Sequence, residues 1–437
     1  MSYHDFLAAK RAKAPALGVT VDASEIHSSL YEWQQEIVAW AAYTGRAAIW
    51  ADTGLGKTRM QIEWARAVSH GSVALIVAPL AVCAQTVREA LAIDVPATYV
   101  RSGEQITGPG LWVTNYEMVE HFDPAALAAV VLDEASILKQ SAGKTRTMLI
   151  EHFADVPYRL ACTATPAPND PEELTNQAEF LGVMTRVNML AAYFVHDQDG
   201  WRPKGHARGP MFQWMATWAL AVRRPSDMGH DDDGYELPGL RIEPHLLPVE
   251  IESEGQLFAT ELGGVGGRSQ IRKATLTARC ERAAEMVARE PDEPWVLWCG
   301  LNDEADLLTE LIPGAVNVKG SMTPEEKARE LLAFADGETR VLITKPSLAA
   351  FGLNWQHCAR MGFVGLSDSY EAYYQAIRRC YRYGQHRVVD VHVFLSEIEA
   401  QIAVNIARKE SEASAITADL VTAMQAARAT NQERVAA

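Results

Sequence analysis

The stretch Ala51-Asp52-Thr53-Gly54-Leu55-Gly56-Lys57-Thr58 decides how this chain is read. A short apolar run, Ala47–Trp50, precedes it and an amphipathic segment, Arg59–Val68, follows, so strand, glycine turn and helix are expected in that order. A strand turning sharply into a helix aims backbone N–H groups and the helix N-terminus at an anion. Gly54 and Gly56 let that backbone approach closely. Lys57 is then placed to reach the β- and γ-phosphates of ATP, and Thr58 to set its hydroxyl on Mg²⁺. This is a phosphate loop with alanine in place of its first glycine.

Such a loop needs an acidic partner at the end of a neighbouring strand. Val130-Val131-Leu132-Asp133-Glu134 supplies one. Asp133, leaving an apolar strand, can hold Mg²⁺, and Glu134 can orient or deprotonate an attacking water.

Working outward, short β-branched runs alternate with helix-length amphipathic segments, the pattern of βα units around a parallel sheet. Strands are predicted at Ala47–Trp50, Val73–Ala78, Trp112–Thr114, Val130–Leu132 and Arg159–Cys162, then at Trp295–Trp298, Ala315–Val318, Val341–Thr344, Gly362–Gly365 and Val389–Phe394. Two blocks imply two α/β lobes. Between them, roughly Gly182 to Arg272, the alternation stops. That stretch holds a Trp-containing segment predicted helical (Phe212–Ala221), a basic loop (Lys204–Arg208), an acidic run (Asp231–Asp233) and a glycine-rich joint (Gly263–Gly267). Met1–Lys13 reads as a short polar helix, and the chain beyond Glu397 as helix to its end.

The 437 residues are 48% hydrophobic and 22% charged, enough for two or three domains with sizeable cores. No run of about eighteen apolar residues occurs, so no membrane span is expected. The N-terminus lacks a secretory pattern. Six scattered cysteines form no CxxC pair, which suits reduced, buried thiols in a cytoplasmic protein and gives no reason to expect zinc. The net charge of −16 does not decide nucleic-acid binding, because local potential along a track matters more.

Further short motifs in a fixed order now carry a resemblance. Leu30-Tyr31-Glu32-Trp33-Gln34-Gln35, Ala78-Pro79-Leu80, Val113-Thr114-Asn115-Tyr116-Glu117 and Cys162-Thr163-Ala164-Thr165-Pro166 flank the phosphate-loop and Asp-Glu motifs. Val318-Lys319-Gly320-Ser321, Phe351-Gly352-Leu353-Asn354 and Gln375-Ala376-Ile377-Arg378-Arg379-Cys380-Tyr381-Arg382-Tyr383-Gly384-Gln385 follow. Together they resemble helicase superfamily 2, and within it the Swi/Snf-type translocases, over about Leu30 to Lys409. Val222-Arg223-Arg224-Pro225 and Glu236-Leu237-Pro238 resemble that family's crossover between lobes. The wording of Trp201–Pro238 looks similar to compact bacteriophage and prophage versions.

The resemblance implies an α/β fold of two RecA-like lobes with parallel sheets, a mainly helical inter-lobe insertion and a C-terminal helical brace. The implied divisions are an N-terminal extension (1–27), an ATP-binding lobe (28–182), the insertion and linker (183–272), a second lobe (273–396) and a C-terminal segment (397–437). It implies that Gln34 reads adenine and that Gly352 touches nucleotide. Pro79, Thr114, Tyr116, Gly320, Asn354 and Gln375 would contact nucleic acid, while Thr163 and Thr165 couple hydrolysis to lobe movement. Arg379 and Arg382, three apart on one helical face, would be arginine fingers that stabilise γ-phosphoryl charge. The implied activity is a DNA-dependent ATPase that translocates on duplex DNA, as a monomer. A strand-separating helicase and a non-catalytic nucleotide-binding scaffold are the alternatives.

Three departures matter. Ser136 stands where the family often has histidine, the glycine-rich start of motif V becomes Lys345–Ala350, and Leu366–Tyr370 replaces an Asp-Trp-Asn-type stretch. Among lesser features, Trp201–Arg208 could meet DNA phosphates or be an exposed loop. His230 with Asp231–Asp233 reads as a solvated loop rather than a metal site, and Phe212, Trp214 and Trp218 as core rather than a stacking platform.

Overall fold

The computed structural model describes residues 14–139, 143–198, 200–248, 273–348, 354–366 and 369–436. Met1–Lys13, Gly263–Gly267, Ala349–Ala350 and Gly352 therefore lie outside the described residues, as do Ser367 and Asp368. The chain divides into two compact units, Met1–Asp233 with Ser411–Ala437, and Gly234–Glu410.

In the first unit the chain runs α1 (Glu32–Thr44), β1 (Arg46–Ala51), α2 (Lys57–Ser69), β2 (Val73–Ala78), α3 (Leu80–Leu91), β3 (Ala97–Tyr99), β4 (Gly110–Asn115) and β5 (Ala129–Asp133). It continues through α4 (Lys144–His152), β6 (Tyr158–Cys162), α5 (Leu174–Phe180), α6 (Arg186–Tyr193), the antiparallel pair β7 (Phe194–Asp197) and β8 (Gly200–Pro203), α7 (Arg208–Met215) and β9 (Ala219–Val222). Seven strands make one parallel sheet in the order β3-β4-β2-β5-β6-β1-β9. The central strands are apolar but for Arg46 at the start of β1 and Asp133 at the end of β5, and are buried along nearly their whole length, as strands covered on both faces must be.

One stretch departs from the sequence reading. The helix expected over Phe212–Ala221 ends at Met215, and Ala219–Val222 is a strand. Without β9, β1 would be an edge with open backbone groups. Ala48 N–H instead donates to Trp218 O at 2.8 Å and Asp52 N–H to Val222 O at 2.9 Å. Tertiary pairing outweighs local propensity here. The aromatic residues are core: Trp214 stacks on Tyr193 (5.7 Å) and meets Trp218 edge-on (5.4 Å), which in turn meets Trp50 (5.8 Å).

In the second unit the elements are β10 (Leu240–Leu247), α8 (Leu276–Arg289), β11 (Trp295–Trp298), α9 (Asn302–Leu311), β12 (Val316–Asn317), α10 (Pro324–Ala335), β13 (Val341–Thr344), β14 (Arg360–Phe363), α11 (Tyr370–Ile377) and β15 (Val389–Ser396). Its six parallel strands run β10-β15-β14-β11-β13-β12. α8 and α9 pack their apolar stripes on β11, β13 and Phe394 of β15. Beneath them a fully buried ion pair joins Arg279 to Glu304 at 2.7 Å, with Arg279 also donating to Val364 O. Glu304 accepts from Gly300 N–H and Leu301 N–H as well, so the charge is not left unpaired.

The long α12 (Ala400–Ala436) closes the chain. Ile416, Leu420, Val421 and Met424 of α12 are buried at helical spacing, and Gln425 donates to Asp227 O at 3.3 Å. The expected strands are therefore present in both sheets, while β3, β7, β8, β9 and β10 were not anticipated. Short strands and a strand outside the alternating blocks carry too little periodicity to stand out.

Candidate functional site

In open parallel sheets, ligands bind beyond the carboxyl ends of the strands. β5, β6 and β1 are consecutive neighbours, so the loops leaving them emerge side by side: Asp133-Glu134, Thr163–Thr165 and Asp52–Gly56. Three motifs far apart in sequence meet for this reason.

The turn after β1 is built by its glycines. Gly54 and Gly56 both take positive φ, 90° and 76°, and Gly56 is the N-cap of α2. A Cβ on Gly56 would lie 2.4 Å from Gln34 Nε2 and force that side chain to move, on top of the strain at positive φ. Lys57, the first residue of α2, folds its ammonium back onto Ala51 O (2.7 Å) and Asp52 O (3.2 Å). Thr58 follows, half-buried, on the first turn of α2. The cation, the hydroxyl and the open N–H groups of a helix start thus share one small region, the arrangement that binds phosphate. Gln34 is buried on α1. Its Oε1 accepts from Tyr31 N–H and its Nε2 donates to Leu55 O, both at 2.9 Å, which ties α1 to the loop.

Asp133 ends β5, almost wholly buried, and its carboxylate accepts from Gln61 Nε2 at 2.7 Å. Burial pushes its pKa up; the Gln61 bond and the nearby Lys57 charge pull against that rise. A buried carboxylate stripped of water and short of charge compensation is a ready seat for a cation. Glu134 has φ 57°, a left-handed conformation rare for a residue with a Cβ and one that collects at active sites. Its carboxylate accepts from Thr163 Oγ1 at 3.2 Å, and that same hydroxyl accepts from Thr165 N–H at 3.1 Å. Ser136 Oγ sits 3.5 Å from the backbone O of Glu134, whereas Thr163 Oγ1 reaches the glutamate's carboxylate.

Tyr116 is buried beneath this turn, its hydroxyl donating to Asp133 O at 2.5 Å, and burial holds it protonated with its pKa well above the ordinary phenol value. Thr114 is fully buried in β4, and Pro79 starts α3 at the end of β2. These residues line the same carboxyl edge at greater distance along the sheet. Gln61 was missed by the sequence reading. It stands one helical turn after Lys57, a spacing that points it to the same side of α2.

The second unit presents the arginine motif differently from the expectation. Arg379 and Arg382 do not share a helical face. α11 ends at Ile377 with Arg378 as its C-cap, and the arginines lie on the tight turns that follow, Arg379 N–H bonding Ala376 O and Arg382 N–H bonding Cys380 O, both at 3.2 Å. Tertiary anchors pull the chain off the helix. Trp355 N–H donates to Arg379 O (2.9 Å), Gln356 Nε2 to Tyr383 O (2.5 Å) and Gln385 Nε2 to Cys358 O (3.0 Å). Gly384, at φ 92°, closes the turn where a Cβ would lie 2.8 Å from Gln356 Nε2. Arg379 is buried, and burial together with the neighbouring Arg379 and Arg378 charges lowers the Arg382 pKa to about 10. Three cations are crowded on one loop, with the Arg378 guanidinium over Tyr374 (5.1 Å) and Tyr381 (5.3 Å). Gln375 is half-buried on α11, Asn354 is exposed, and Gly320 O, after β12, accepts from Lys327 Nζ at 2.8 Å.

The lesser features resolve as local scaffolding. Arg202 pairs with Asp197, Lys204 Nζ donates to Ala191 O (2.8 Å), and Arg208 pairs with Asp419 (2.6 Å). His230 meets Glu36 at 3.0 Å, while Asp232 accepts from Ser226 N–H (2.7 Å) and Oγ (2.8 Å). All six cysteines are free and buried, and no described helix is long and apolar enough to cross a membrane.

Comparison with known proteins gives a domain match in each unit. Residues 27–189 match the SNF2-related domain, and residues 279–384 match the helicase conserved C-terminal domain. No curated protein matches in sequence. Among solved structures the chain is similar to the Sulfolobus solfataricus SWI2/SNF2 ATPase core in complex with dsDNA, at 17% identity and a TM-score of 0.45, covering 92% of this chain and 96% of that one. The two domains together define a nucleic-acid-dependent ATPase of the α/β, two-lobed kind. An SNF2-related domain followed by a helicase C-terminal domain is the make-up of a Swi/Snf-type helicase, and it supports the activity of a DNA-dependent ATPase motor.

Proposed function

We propose that this motor tracks along duplex DNA, with ATP hydrolysed at the Lys57 loop. The observation that carries the reading is the meeting of three motifs on adjacent strand ends, with Glu134 bonded to Thr163 at 3.2 Å. In this reading Lys57 exchanges the Ala51 and Asp52 carbonyls for β- and γ-phosphate oxygens, and Glu134 orients the attacking water and takes its proton. Gln34 connects recognition of the base to the loop through its bond to Leu55 O.

Mg²⁺ fits the donor set, a threonine hydroxyl and a buried carboxylate, both hard oxygen ligands. Thr58 and Asp133 would hold it, where it would neutralise phosphate charge. Arg379 and Arg382 supply positive charge to the γ-phosphoryl during transfer, and a partly desolvated guanidinium is the stronger for it. The Thr163 hydroxyl links the hydrolytic glutamate to Thr165, so a change at one is felt at the other. DNA contacts come from Pro79 in one unit and Gly320, Asn354 and Gln375 in the other, whereas Thr114 and Tyr116, expected to touch the strand, are buried and support that edge from beneath. Binding is to the phosphate backbone and so falls with salt. The buried, reduced thiols suit action in the cytoplasm.

An ATPase panel over duplex, single-stranded, forked and RNA ligands tests this. Duplex DNA is expected to stimulate turnover most. Stronger stimulation by single strands would favour a strand-separating helicase, and binding of ATP without turnover on any ligand would favour a scaffold.

A further inference from the structure

In the second unit β10 and β15 run parallel, with Glu243 opposite His392 and His245 opposite Phe394. Side chains alternate across a strand, so Glu243, His245 and His392 stand on one face of this pair. His245 Nε2 lies 3.0 Å from His392 Nδ1, and Glu243 Oε2 lies 3.4 Å from that same nitrogen. The three donor atoms all lie within 4.8 Å of one another.

Both rings are positioned from outside the cluster. His392 is buried and stacks on Trp295 at 5.6 Å, and His245 stacks on Phe394 at 5.0 Å. Burial lowers both imidazole pKa values, with help from Arg282 at His245. By choice of tautomer each ring can turn one nitrogen lone pair toward an ion shared with the other. Glu243 is exposed and flexible enough to close the remaining distance. Nearby cations are already matched: Arg282 with Glu285, and Arg241 and Arg360 with Asp390.

Two imidazole nitrogens and one carboxylate are a donor set for borderline transition metals, whereas Mg²⁺ and Ca²⁺ take oxygen ligands. We propose that Glu243, His245 and His392 form a binding site for a divalent cation of the zinc class, with three protein ligands and a remaining position for water. Such an ion would fasten β10, the edge strand, to β15 across 147 residues of sequence. None of the three residues belongs to the ATP apparatus, so the site is a second and independent one.

The test is titration of Zn²⁺ into the metal-stripped full-length chain against a chromophoric chelator. One equivalent is expected to bind and to raise the melting temperature. Glu243→Ala, at an exposed position that leaves the core intact, should weaken binding by at least the roughly 10–100-fold lost with an outer-shell partner. His245→Ala should weaken it further. Absence of Zn²⁺ binding by the unmodified chain, or affinity unchanged in Glu243→Ala and His245→Ala, would overturn the assignment.

Discussion

The phosphate loop and the arginine loop both gather positive charge, which we propose serves one reaction, yet they are built in opposite ways. Around Lys57 the backbone does the positioning: two glycines at positive φ and a helix start fix where the ammonium begins. Around Arg379 and Arg382 side chains from elsewhere hold the backbone, through Gln356, Gln385 and the N–H of Trp355. The first is a local device and survives in any sheet that ends in that turn. The second exists only when the second unit is folded around it. Local devices are therefore written in contiguous sequence, and tertiary ones are not.

The sharpest way to break that contrast is Arg379→Ala. Loss of an arginine finger costs about 10³–10⁵ in turnover, and ATP affinity, set at the other loop, is expected to stay nearly unchanged. Near-normal turnover of this variant in a stimulated ATPase assay would remove Arg379 from the reaction. Glu134→Gln follows, with an expected loss of about 10²–10⁴ for a general base and normal nucleotide binding by calorimetry. If turnover persists, the water is activated by another group.

Thr163→Val sharpens the comparison by cutting the bond from Thr163 Oγ1 to the Glu134 carboxylate. A net hydrogen bond of about 1 kcal/mol corresponds to roughly a tenfold effect or less. We expect it in the ratio of DNA-stimulated to basal rate, and an equal fall in both rates would make Thr163 a merely structural residue. Asp133→Asn has the smallest effect on stability, and that effect has the opposite sign. Burial raises the Asp133 pKa above the unfolded value near 3.8, so the unfolded chain gives up this proton first. The contribution of Asp133 to stability is thus greatest at low pH and falls as pH rises through that window. The asparagine variant should be inactive but melt at a slightly higher temperature at neutral pH without nucleotide. A lower melting temperature would show the carboxylate to be a net stabiliser.

Much of the proposed nucleotide end was legible because its residues lie in short contiguous stretches. Gly54, Gly56, Lys57, Asp133 and Glu134 belong to strand ends that apolar runs mark clearly. Strand β9 was not legible: Ala219–Val222 follows closely on the helix that carries Trp214, and only the open edge of β1 makes it a strand. The arginines were read as helical because three-residue spacing fits a helix, whereas the chain leaves α11 at Arg378. Gln61 and Gln356 carry no motif of their own. The His245–His392 pair could not be seen at all, since its halves meet only through the parallel pairing of β10 with β15.

The central claim is that ATP hydrolysis moves this chain along intact duplex DNA. Displacement of a third strand from a triplex tests it most directly. The account predicts ATP-dependent release of the third strand with the duplex left paired, and none with Lys57→Ala. Unwinding of a forked duplex with no triplex release would contradict it.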